Sequence, residues 1–462
     1  MDLDLLVLGS GPSGQRAAVQ GAKLGKRVAV VERRERVGGV SIHSGTIPSK
    51  TLREAVFEAL AGRPLDAADP LNPQANDAAA TRYLRDRTLR VVSAEAAVVR
   101  EQLRRNNVGM LYGEASFSGP HSVAVKGEDG TKTYTAERIV IAVGTVPARP
   151  ADVSFDDRTV IDSDGILRLE HRPRTMTVVG AGVIGVEYAS MMAALGVKVT
   201  LVDGRADLLP FLDREIAEAL QFLLRRRGVT FRREEEVTAV ERRDGGAVTE
   251  LRSGKRILTE TVLYAAGRQG ATGALGLEHA GLAADARGRI DVGEDFRTAV
   301  PHIFAVGDVA GPPGLAAIAY EQGRIATLHA FDQPATVLPG LVPTGVYAIP
   351  EIGMVGSTEE QLTEAAVPYV VGLARWSELA RGLMTGDEDG ILKLLIDPED
   401  GTLLGVHVLG TTAADLVHIG QALMGRPGAL DFLLAAVFNY PTFAESYKVA
   451  ALDAQNRIRL GG

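Results

Sequence analysis

The sequence predicts an α/β protein with two parallel-sheet domains and a third, C-terminal α/β domain. The parallel-sheet domains are predicted by a pattern that occurs twice along the chain: a strand, a glycine-rich turn, a helix and a second strand. A third observation sets the last part apart, since short apolar stretches alternate there with turn residues, as in antiparallel hairpins. At 462 residues the chain is also too long for a single hydrophobic core.

The first of these units begins at the N-terminus. Residues 3–8 form an apolar strand, 9–14 a tight turn, 15–24 an alanine-rich helix and 27–31 a second apolar strand. This order of elements is a βαβ unit, in which a helix carries the chain between two parallel strands. An apolar strand at 138–143 is predicted to close the domain.

The same order of elements recurs in a second unit. Its strand, turn, helix and second strand are predicted at 175–179, 180–185, 186–195 and 197–202. An apolar strand at 262–267 closes it, as 138–143 closes the first. The chain is therefore predicted to carry two Rossmann-like domains.

The last third of the chain changes character. Residues 392–396 and 403–408 alternate around the turn 397–401, which predicts a hairpin. Helices are expected at about 412–424 and 443–458. Residues 61–82, in which three prolines and two asparagines are mixed with alanines, are predicted to be a loop insertion.

Composition narrows the class of function. The formal net charge is −8, with Lys+Arg 50 against Asp+Glu 58, so nucleic acid is an unexpected partner. No apolar stretch reaches the length of a membrane helix and no export signal precedes the first strand, so we expect no membrane partner and a cytoplasmic protein. The sequence contains no cysteine, and its histidines lack metal-ligand spacing, so no metal site is expected.

The first glycine-rich turn has the GxGxxG pattern of a dinucleotide site. Its glycines are Gly9, Gly11 and Gly14, and Pro12 and Ser13 lie between them. The first glycine makes the turn, the second lets backbone approach a pyrophosphate, and the third permits close packing of the helix, whose N-terminus faces the diphosphate. Glu32, at the end of the next strand, is expected to accept the ribose hydroxyls.

The second turn repeats the pattern. Gly180, Gly182 and Gly185 supply the glycines, Val183 and Ile184 lie between them, and Asp203 takes the place of the ribose-binding acid. An acid there accepts the 2′-hydroxyl of NAD and repels the 2′-phosphate of NADP. Arg205 lies two residues later and could pair with that phosphate, so the sequence leaves the preference between NAD and NADP open.

Residues 38–50 read GGVSIHSGTIPSK and resemble the GGxCxxxxCxPSK box of the pyridine nucleotide-disulfide oxidoreductases, such as lipoamide dehydrogenase and glutathione reductase. The resemblance runs along most of the chain. It includes both fingerprints, GTVP at 144–147, GR at 267–268 and AVGD at 305–308. In this family the paired cysteines of the box relay electrons from the flavin of FAD to a disulfide.

The positions of the two cysteines are Ser41 and Thr46 in this chain, so no dithiol relay can exist. The family's C-terminal HPTxxE motif reads YPTFAE here, with Tyr440 at the histidine position and Glu445 retained. Both departures remove groups that serve thiol chemistry only. The boxes at 44–50 and 438–442 resemble those of the soluble, energy-independent transhydrogenase branch, although those relatives usually keep the first cysteine.

The resemblance implies roles for individual residues. Lys50 and Glu187 fall on positions that pair near the flavin N5, and Val183 on a position where some relatives place a gating tyrosine. The implied catalytic residues are Lys50, Glu187, Thr46, Tyr440 and Glu445. The implied FAD-site residues are Gly9, Gly11, Pro12, Ser13, Gly14, Glu32, Gly39, Ser41, Thr46, Lys50, Gly144, Gly267, Asp308 and Ala316. The nicotinamide nucleotide site would comprise Gly180, Gly182, Val183, Ile184, Gly185, Glu187, Asp203 and Arg205. The role of His43 is left open.

The resemblance also implies the domain bounds, the assembly and the activity of the protein. An FAD domain is expected at 1–147 and 269–338, an NAD(P) domain at 148–268, and an interface domain at 339–462 that forms a homodimer or a higher homo-oligomer. The expected activity is ping-pong, Si-specific-type hydride transfer, from NADPH to flavin N5 and then to NAD. One alternative stays open, an NAD(P)H:quinone reductase or diaphorase of the same fold. A redox-sensing module that signals through reduced flavin would be favoured if Lys50 and Glu187 were missing, and both are present.

Overall fold

The computed structural model describes residues 1–60, 77–335 and 340–460. The chain forms two compact units. The first comprises Met1–Pro150, Asp162–His171 and Gly267–Leu338, and the second comprises Ala151–Ile161, Arg172–Ala266 and Pro339–Gly462. The predicted boundary at 338/339 lies outside the described residues.

A parallel sheet forms the centre of the first unit. Its strands, in spatial order, are Gly109–Tyr112, Val28–Glu32, Leu3–Leu8, the second half of Gly130–Ile141, and Ile303–Ala305. Residues 5–8 of the central strand are all buried, as expected for a strand covered on both faces. In chain order the strands run 3-2-1-4-5, which is the doubly wound order with its switch point beside the first strand.

The rest of the first unit surrounds this sheet. Strand Glu114–Gly119 pairs antiparallel with Ser122–Gly127, which in turn pairs antiparallel with the first half of Gly130–Ile141. A two-stranded antiparallel ladder joins Thr145–Pro147 to Arg268–Gly270. The helices are Pro12–Lys23, Gly39–His43, Thr46–Leu60, Asp77–Arg105 and Ala316–Ala330, with 3-10 turns at Gly165–Arg168, Leu277–Ala280 and Gly307–Ala310.

The second unit contains another parallel sheet. Its parallel strands, in spatial order, are Thr230–Arg232, Lys198–Val202, Thr175–Val179 and Thr261–Tyr264. Helices Val183–Ala194 and Arg214–Arg226 belong to this part. The other strands here are Val160–Asp162 and an antiparallel sheet of Val237–Arg243, Gly246–Leu251 and Arg256–Thr259.

The second unit also holds a five-stranded antiparallel sheet built from the last part of the chain. Its strands are Thr344–Val346, Ile352–Gly356, Leu403–Leu409, Ile391–Ile396 and Val370–Arg375, in that spatial order. Its helices are Glu359–Glu364, Ala380–Thr385, Ala413–Leu423, Ala429–Ala435 and Ser446–Arg459, with 3-10 turns at Trp376–Glu378 and Phe443–Glu445. The predicted hairpin is present, and the α/β fold class is confirmed.

Two local predictions need correction. Both fingerprint helices begin three residues earlier than predicted, at Pro12 and Val183, because the turn itself winds into the first helical turn. Of the predicted loop at 61–82, residues 61–76 lie outside the described part of the chain. The prediction is wrong for 77–82, which begin helix Asp77–Arg105, because three consecutive alanines at 78–80 favour helix.

A buried lysine links the two parts of the second unit. Lys393, on the antiparallel sheet, is fully buried, and its Nζ lies 2.9 Å from Asp213 Oδ1, at the start of helix Arg214–Arg226. Glu215 at 3.1 Å and Glu359 also contact the ammonium. Burial alone would lower the pKa of Lys393, but the hydrogen bonds from its ammonium to Glu359 and Asp213 raise it above its ordinary value.

Replacing Lys393 with methionine should destabilise the second unit by about 3–5 kcal/mol, because the carboxylate of Asp213 stays buried without its cation. The matched control is Arg226→Met, since the Arg226–Asp389 pair is exposed on both sides and should cost at most about 1 kcal/mol. The shift of the thermal unfolding midpoint measures both. Equal shifts in the two variants would contradict the assignment of Lys393 as a buried anchor.

Candidate dinucleotide sites

The first unit contains a cavity at the switch point of its parallel sheet. The cavity encloses about 1140 Å³ of empty space, part of it open to solvent. The predicted FAD-site residues that line it are Gly9, Gly11, Pro12, Ser13, Glu32, Gly39, Ser41, Thr46, Gly144, Asp308 and Ala316. The other three predicted residues, Gly14, Lys50 and Gly267, belong to the same unit without lining this cavity.

The structural reason for a glycine differs among the three positions of the first turn. Gly9 has a φ of +104°, which favours glycine, and a Cβ at Gly14 would lie 1.9 Å from the carbonyl oxygen of Gly9. Gly14 therefore sets how closely helix Pro12–Lys23 can approach the strand. A Cβ at Gly11 would meet nothing nearer than 4.0 Å, so that glycine is not required by packing. The open space lies at the helix N-terminus, where a phosphate fits.

Glu32 lies at the end of the second strand and lines the cavity. One carboxylate oxygen, Oε2, accepts hydrogen bonds from the backbone N–H of Ser10 at 3.1 Å and from the Ser10 hydroxyl. The other, Oε1, accepts the N–H of Arg34 at 2.9 Å. These bonds fix the carboxylate beside the turn, where its remaining lone pairs can accept ribose hydroxyls. The residues present therefore fit a dinucleotide.

The second turn has the same geometry. Gly180 has a φ of +100°, and a Cβ at Gly185 would lie 1.9 Å from the carbonyl oxygen of Gly180. A Cβ at Gly182 would meet no atom within 4 Å. Val183 and Ile184 are the first two residues of the helix, and Gly182 is its N-cap without a side-chain hydrogen bond. The helix N-terminus is thus available to an anion here too.

Asp203 repeats the arrangement of Glu32. Its Oδ2 accepts the N–H of Ala181 at 2.6 Å, and its Oδ1 accepts the N–H of Arg205 at 2.8 Å. Burial alone would raise the pKa of Asp203, but hydrogen bonds from the Arg205 side chain, the Arg205 N–H and the Ala181 N–H outweigh it and lower the pKa. The carboxylate is therefore held ionised.

Arg205 is engaged with that same carboxylate. Its Nε and Nη2 donate to Asp203 Oδ1 and Oδ2 at 2.9 and 2.8 Å, a bidentate pair. The arginine side chain is 50% exposed, so it has room to turn away. Its guanidinium offsets the negative charge that would otherwise repel a 2′-phosphate at Asp203.

The box at 38–50 contributes hydroxyl groups where the family has thiols. Ser41 and Thr46 both line the cavity of the first unit. His43 Nε2 lies 2.9 Å from the carbonyl oxygen of Val37 and 3.1 Å from that of Arg36, so this imidazole has a structural role in holding the preceding loop. Lys50 lies in helix Thr46–Leu60 and is half-buried.

Glu187 is buried in helix Val183–Ala194 of the second unit. Its Oε1 accepts the backbone N–H of Tyr347 at 2.8 Å. One turn later, the Ser190 hydroxyl accepts the N–H of Ile349 at 3.0 Å and donates to the carbonyl of Glu187 at 2.7 Å. Two backbone N–H groups of the C-terminal part therefore hold the helix that carries Glu187.

The C-terminal motif does not form the acid–base pair of the family. Tyr440, at the histidine position, is 68% exposed. Glu445 lies in the 3-10 turn Phe443–Glu445, and its Oε2 is buried without a hydrogen-bond partner among the described residues. The carboxylate is retained, but the histidine that it would orient is replaced by Tyr440.

One group of acids in the described part of the chain has the spacing of a metal site. Carboxylate oxygens of Asp213, Glu215 and Glu359 lie within 4.8 Å of one another. The ammonium of Lys393 lies among them and supplies the positive charge.

Sequence reasoning missed several walls of the cavity. Residues 113–115, 271 and 274–275 line it but belong to no motif and lie far along the chain from the fingerprint. Thr145 also lines it, and its place directly after Gly144 was the one available signal.

Replacing Gly182 with alanine should weaken nicotinamide nucleotide binding roughly ten-fold or more, because the new Cβ would occupy space that the pyrophosphate needs. Stability should change little, because no protein atom lies within 4 Å of that Cβ. Gly185→Ala is the matched contrast, since its Cβ would overlap the Gly180 carbonyl and the fold itself should suffer. Titration of the oxidised protein with oxidised NAD and thermal unfolding of both variants separate the two effects. Unchanged NAD affinity in Gly182→Ala would show that no ligand occupies that space.

The comparisons with known proteins agree with this architecture. Residues 3–323 match the pyridine nucleotide-disulphide oxidoreductase family, and residues 342–451 match its dimerisation domain. Soluble pyridine nucleotide transhydrogenases from Mycobacterium tuberculosis and Chromohalobacter salexigens are 53% and 42% identical to this chain. The first alignment covers 99% of this chain and 98% of the relative, and the second covers 99% of each.

Solved structures show the same fold. The HOCl-induced flavoprotein disulfide reductase RclA from Escherichia coli superposes with a TM-score of 0.87 at 28% identity, over 97% of this chain and 99% of that chain. LpdA from Mycobacterium tuberculosis gives a TM-score of 0.88 at 25% identity, over 99% of both chains. No helix in the described ranges is long and apolar enough to cross a membrane.

The chain therefore belongs to the pyridine nucleotide-disulphide oxidoreductase family, within the branch of the soluble pyridine nucleotide transhydrogenases, although it has no cysteine.

Proposed function

We propose that this chain binds FAD in the cavity of its first unit and a nicotinamide nucleotide at the second fingerprint, and transfers hydride from NADPH to NAD. The observation that carries the proposal is the pair of matched fingerprints in a chain without cysteine. Relatives that are 42–53% identical over nearly the whole chain are named soluble pyridine nucleotide transhydrogenases. A cytoplasmic homodimer, or a higher homo-oligomer, is part of the same proposal.

A bound FAD would supply a carrier that accepts two electrons as a hydride from one nucleotide and returns them to the next. The chain has one nicotinamide-type fingerprint besides the FAD-type one, so the two nucleotides must alternate at Gly180–Gly185. Binding is therefore expected to be ping-pong, with NADP leaving before NAD enters. Val183 begins the helix at this turn, so no aromatic side chain from that position covers the entry.

The Asp203–Arg205 pair suits a site that must accept both nucleotides. Asp203 can accept the 2′-hydroxyl of NAD, and its charge would repel the 2′-phosphate of NADP. Arg205 already offsets that charge and is exposed enough to reach a phosphate instead. One pair, of which only the arginine is half-exposed, can therefore serve both ligands in turn, with loss of its own bidentate bond when NADP binds.

We propose that Lys50 takes the part of the family's cation near the flavin N5, and that Glu187 takes the part of its carboxylate. A cation at Lys50 would favour added negative charge on a neighbouring ring. The contact between Tyr347 N–H and Glu187 Oε1 keeps one oxygen of this carboxylate engaged, so its direction is fixed.

Thiol chemistry is not part of the proposal. Disulfide reduction in the family needs two thiols at the flavin and an acid that protonates the leaving thiolate. Ser41 and Thr46 replace the thiols, and the exposed Tyr440 replaces the histidine. Reduction of lipoamide or glutathione disulfide is therefore not expected.

Under nitrogen, NADPH should bleach the flavin absorbance of the holoenzyme, and the oxidised spectrum should return when an NAD analogue is added. Stopped-flow absorbance with double mixing measures both half-reactions. The control replaces the NAD analogue with a quinone of similar potential. Bleaching that only quinone or oxygen reverses would overturn the transhydrogenase proposal and favour an NAD(P)H:quinone reductase of the same fold.

A further inference from the structure

A directed chain of hydrogen bonds ends at Asp308 in the wall of the cavity. Arg268 Nε donates to the hydroxyl of Thr145 at 2.8 Å, and Arg268 Nη2 donates to the carbonyl of Thr145 at 3.0 Å. The Thr145 hydroxyl lies 3.2 Å from Asp308 Oδ2. Thr145 and Asp308 both line the cavity, whereas Arg268 lies behind them.

The direction of these bonds follows from the chemistry of the groups. A guanidinium has donors only, so the Thr145 oxygen must accept from Arg268. The single hydrogen of the Thr145 hydroxyl is then available for a hydrogen bond to the carboxylate of Asp308. The chain of bonds engages only Oδ2 of Asp308, which leaves Oδ1 as an acceptor.

The backbone keeps these groups in place. Thr145–Pro147 pairs with Arg268–Gly270 in an antiparallel ladder, and further bonds from Ala148 N–H to Gly267 O and from Ala271 N–H to Gly144 O extend it at 3.0 Å each. Thr145 is buried, and the side chain of Arg268 is 18% exposed. Partial burial strengthens such charge-assisted bonds, because water screens them less.

We propose that Thr145 and Arg268 are positioning residues for the FAD site. They hold the Asp308 carboxylate in one orientation, so that Oδ1 can accept a hydrogen bond from a hydroxyl group of FAD without a further loss of side-chain rotational freedom. The proposal rests on the placement of FAD in this cavity. It assigns to the ladder at 145–147 and 268–270 a part in holding the cofactor.

The rate at which FAD leaves the holoenzyme tests the proposal, because it needs no catalytic turnover. Release is followed by the recovery of free-flavin fluorescence after dilution. Thr145→Val should release FAD roughly ten-fold faster than the unmodified protein, since the bond to the carboxylate is lost. Thr145→Ser keeps the hydroxyl and should stay within about two-fold of the unmodified rate.

The matched control is Thr272→Val. Thr272 is buried in the same unit, and its hydroxyl donates to the carbonyl of Gly288 at 2.9 Å rather than to Asp308. This variant also loses a buried hydroxyl bond, so it reports the effect of a general loss of stability. Its rate of FAD release should remain near that of the unmodified protein.

A double-mutant cycle separates positioning from packing. Asp308→Ala should itself release FAD faster, and Thr145→Val or Arg268→Met should add nothing in that background. Arg268→Met alone should act in the same direction as Thr145→Val. The proposal is overturned if the effects of Thr145 and Asp308 are independent, if Thr145→Ser behaves like Thr145→Val, or if Thr272→Val has the same effect.

The test also separates this proposal from the proposed activity. A protein that retains FAD and shows the expected cycle, but returns no hydride to NAD, would keep the positioning role and lose the transhydrogenase activity. A protein that exchanges hydride while Asp308→Ala retains FAD normally would keep the activity and lose the positioning role.

Discussion

Both nucleotide sites depend on one close contact between backbone atoms. At each fingerprint the third glycine lies so near the carbonyl of the first that a Cβ would stand 1.9 Å from it. Only glycine permits this approach at Gly14 and Gly185, and the approach brings the helix N-terminus over the end of the strand. The orientation of the N–H groups at the helix N-terminus, the open space at the second glycine and the position of the acid beside the turn follow from it.

The hydrogen bonds of Glu32 at the first fingerprint are repeated by Asp203 at the second. Glu32 and Asp203 each accept an N–H from the residue after the first glycine and an N–H from two residues farther along their own segment. The difference between the sites is Arg205, which adds a bidentate bond to Asp203. The same framework thus gives one turn an acid without an arginine partner and the other an acid with one. This difference fits the proposal that the first site holds a fixed cofactor and the second exchanges nucleotides.

The sequence was sufficient for the features that depend on short-range patterns. Two glycine-rich turns between apolar stretches predicted both parallel sheets, and residues 9–13 of the first turn line the observed cavity. The helix starts were three residues late, because the pattern does not show that the turn is already helical. The bonds of Thr145 to Arg268 and Asp308, and those of Lys393 to Asp213 and Glu215, join residues more than a hundred positions apart. No local pattern encodes such pairings.

The central claim is that the two fingerprints make two sites that hold different dinucleotides. Denaturing extraction of the purified protein counts the flavin, and equilibrium titration of the oxidised holoenzyme with oxidised NADP, which cannot reduce the flavin, counts the second site. The account predicts one FAD per chain released on extraction and one NADP bound per chain at saturation. Recovery of FMN, of no flavin, or of two flavins per chain would contradict it.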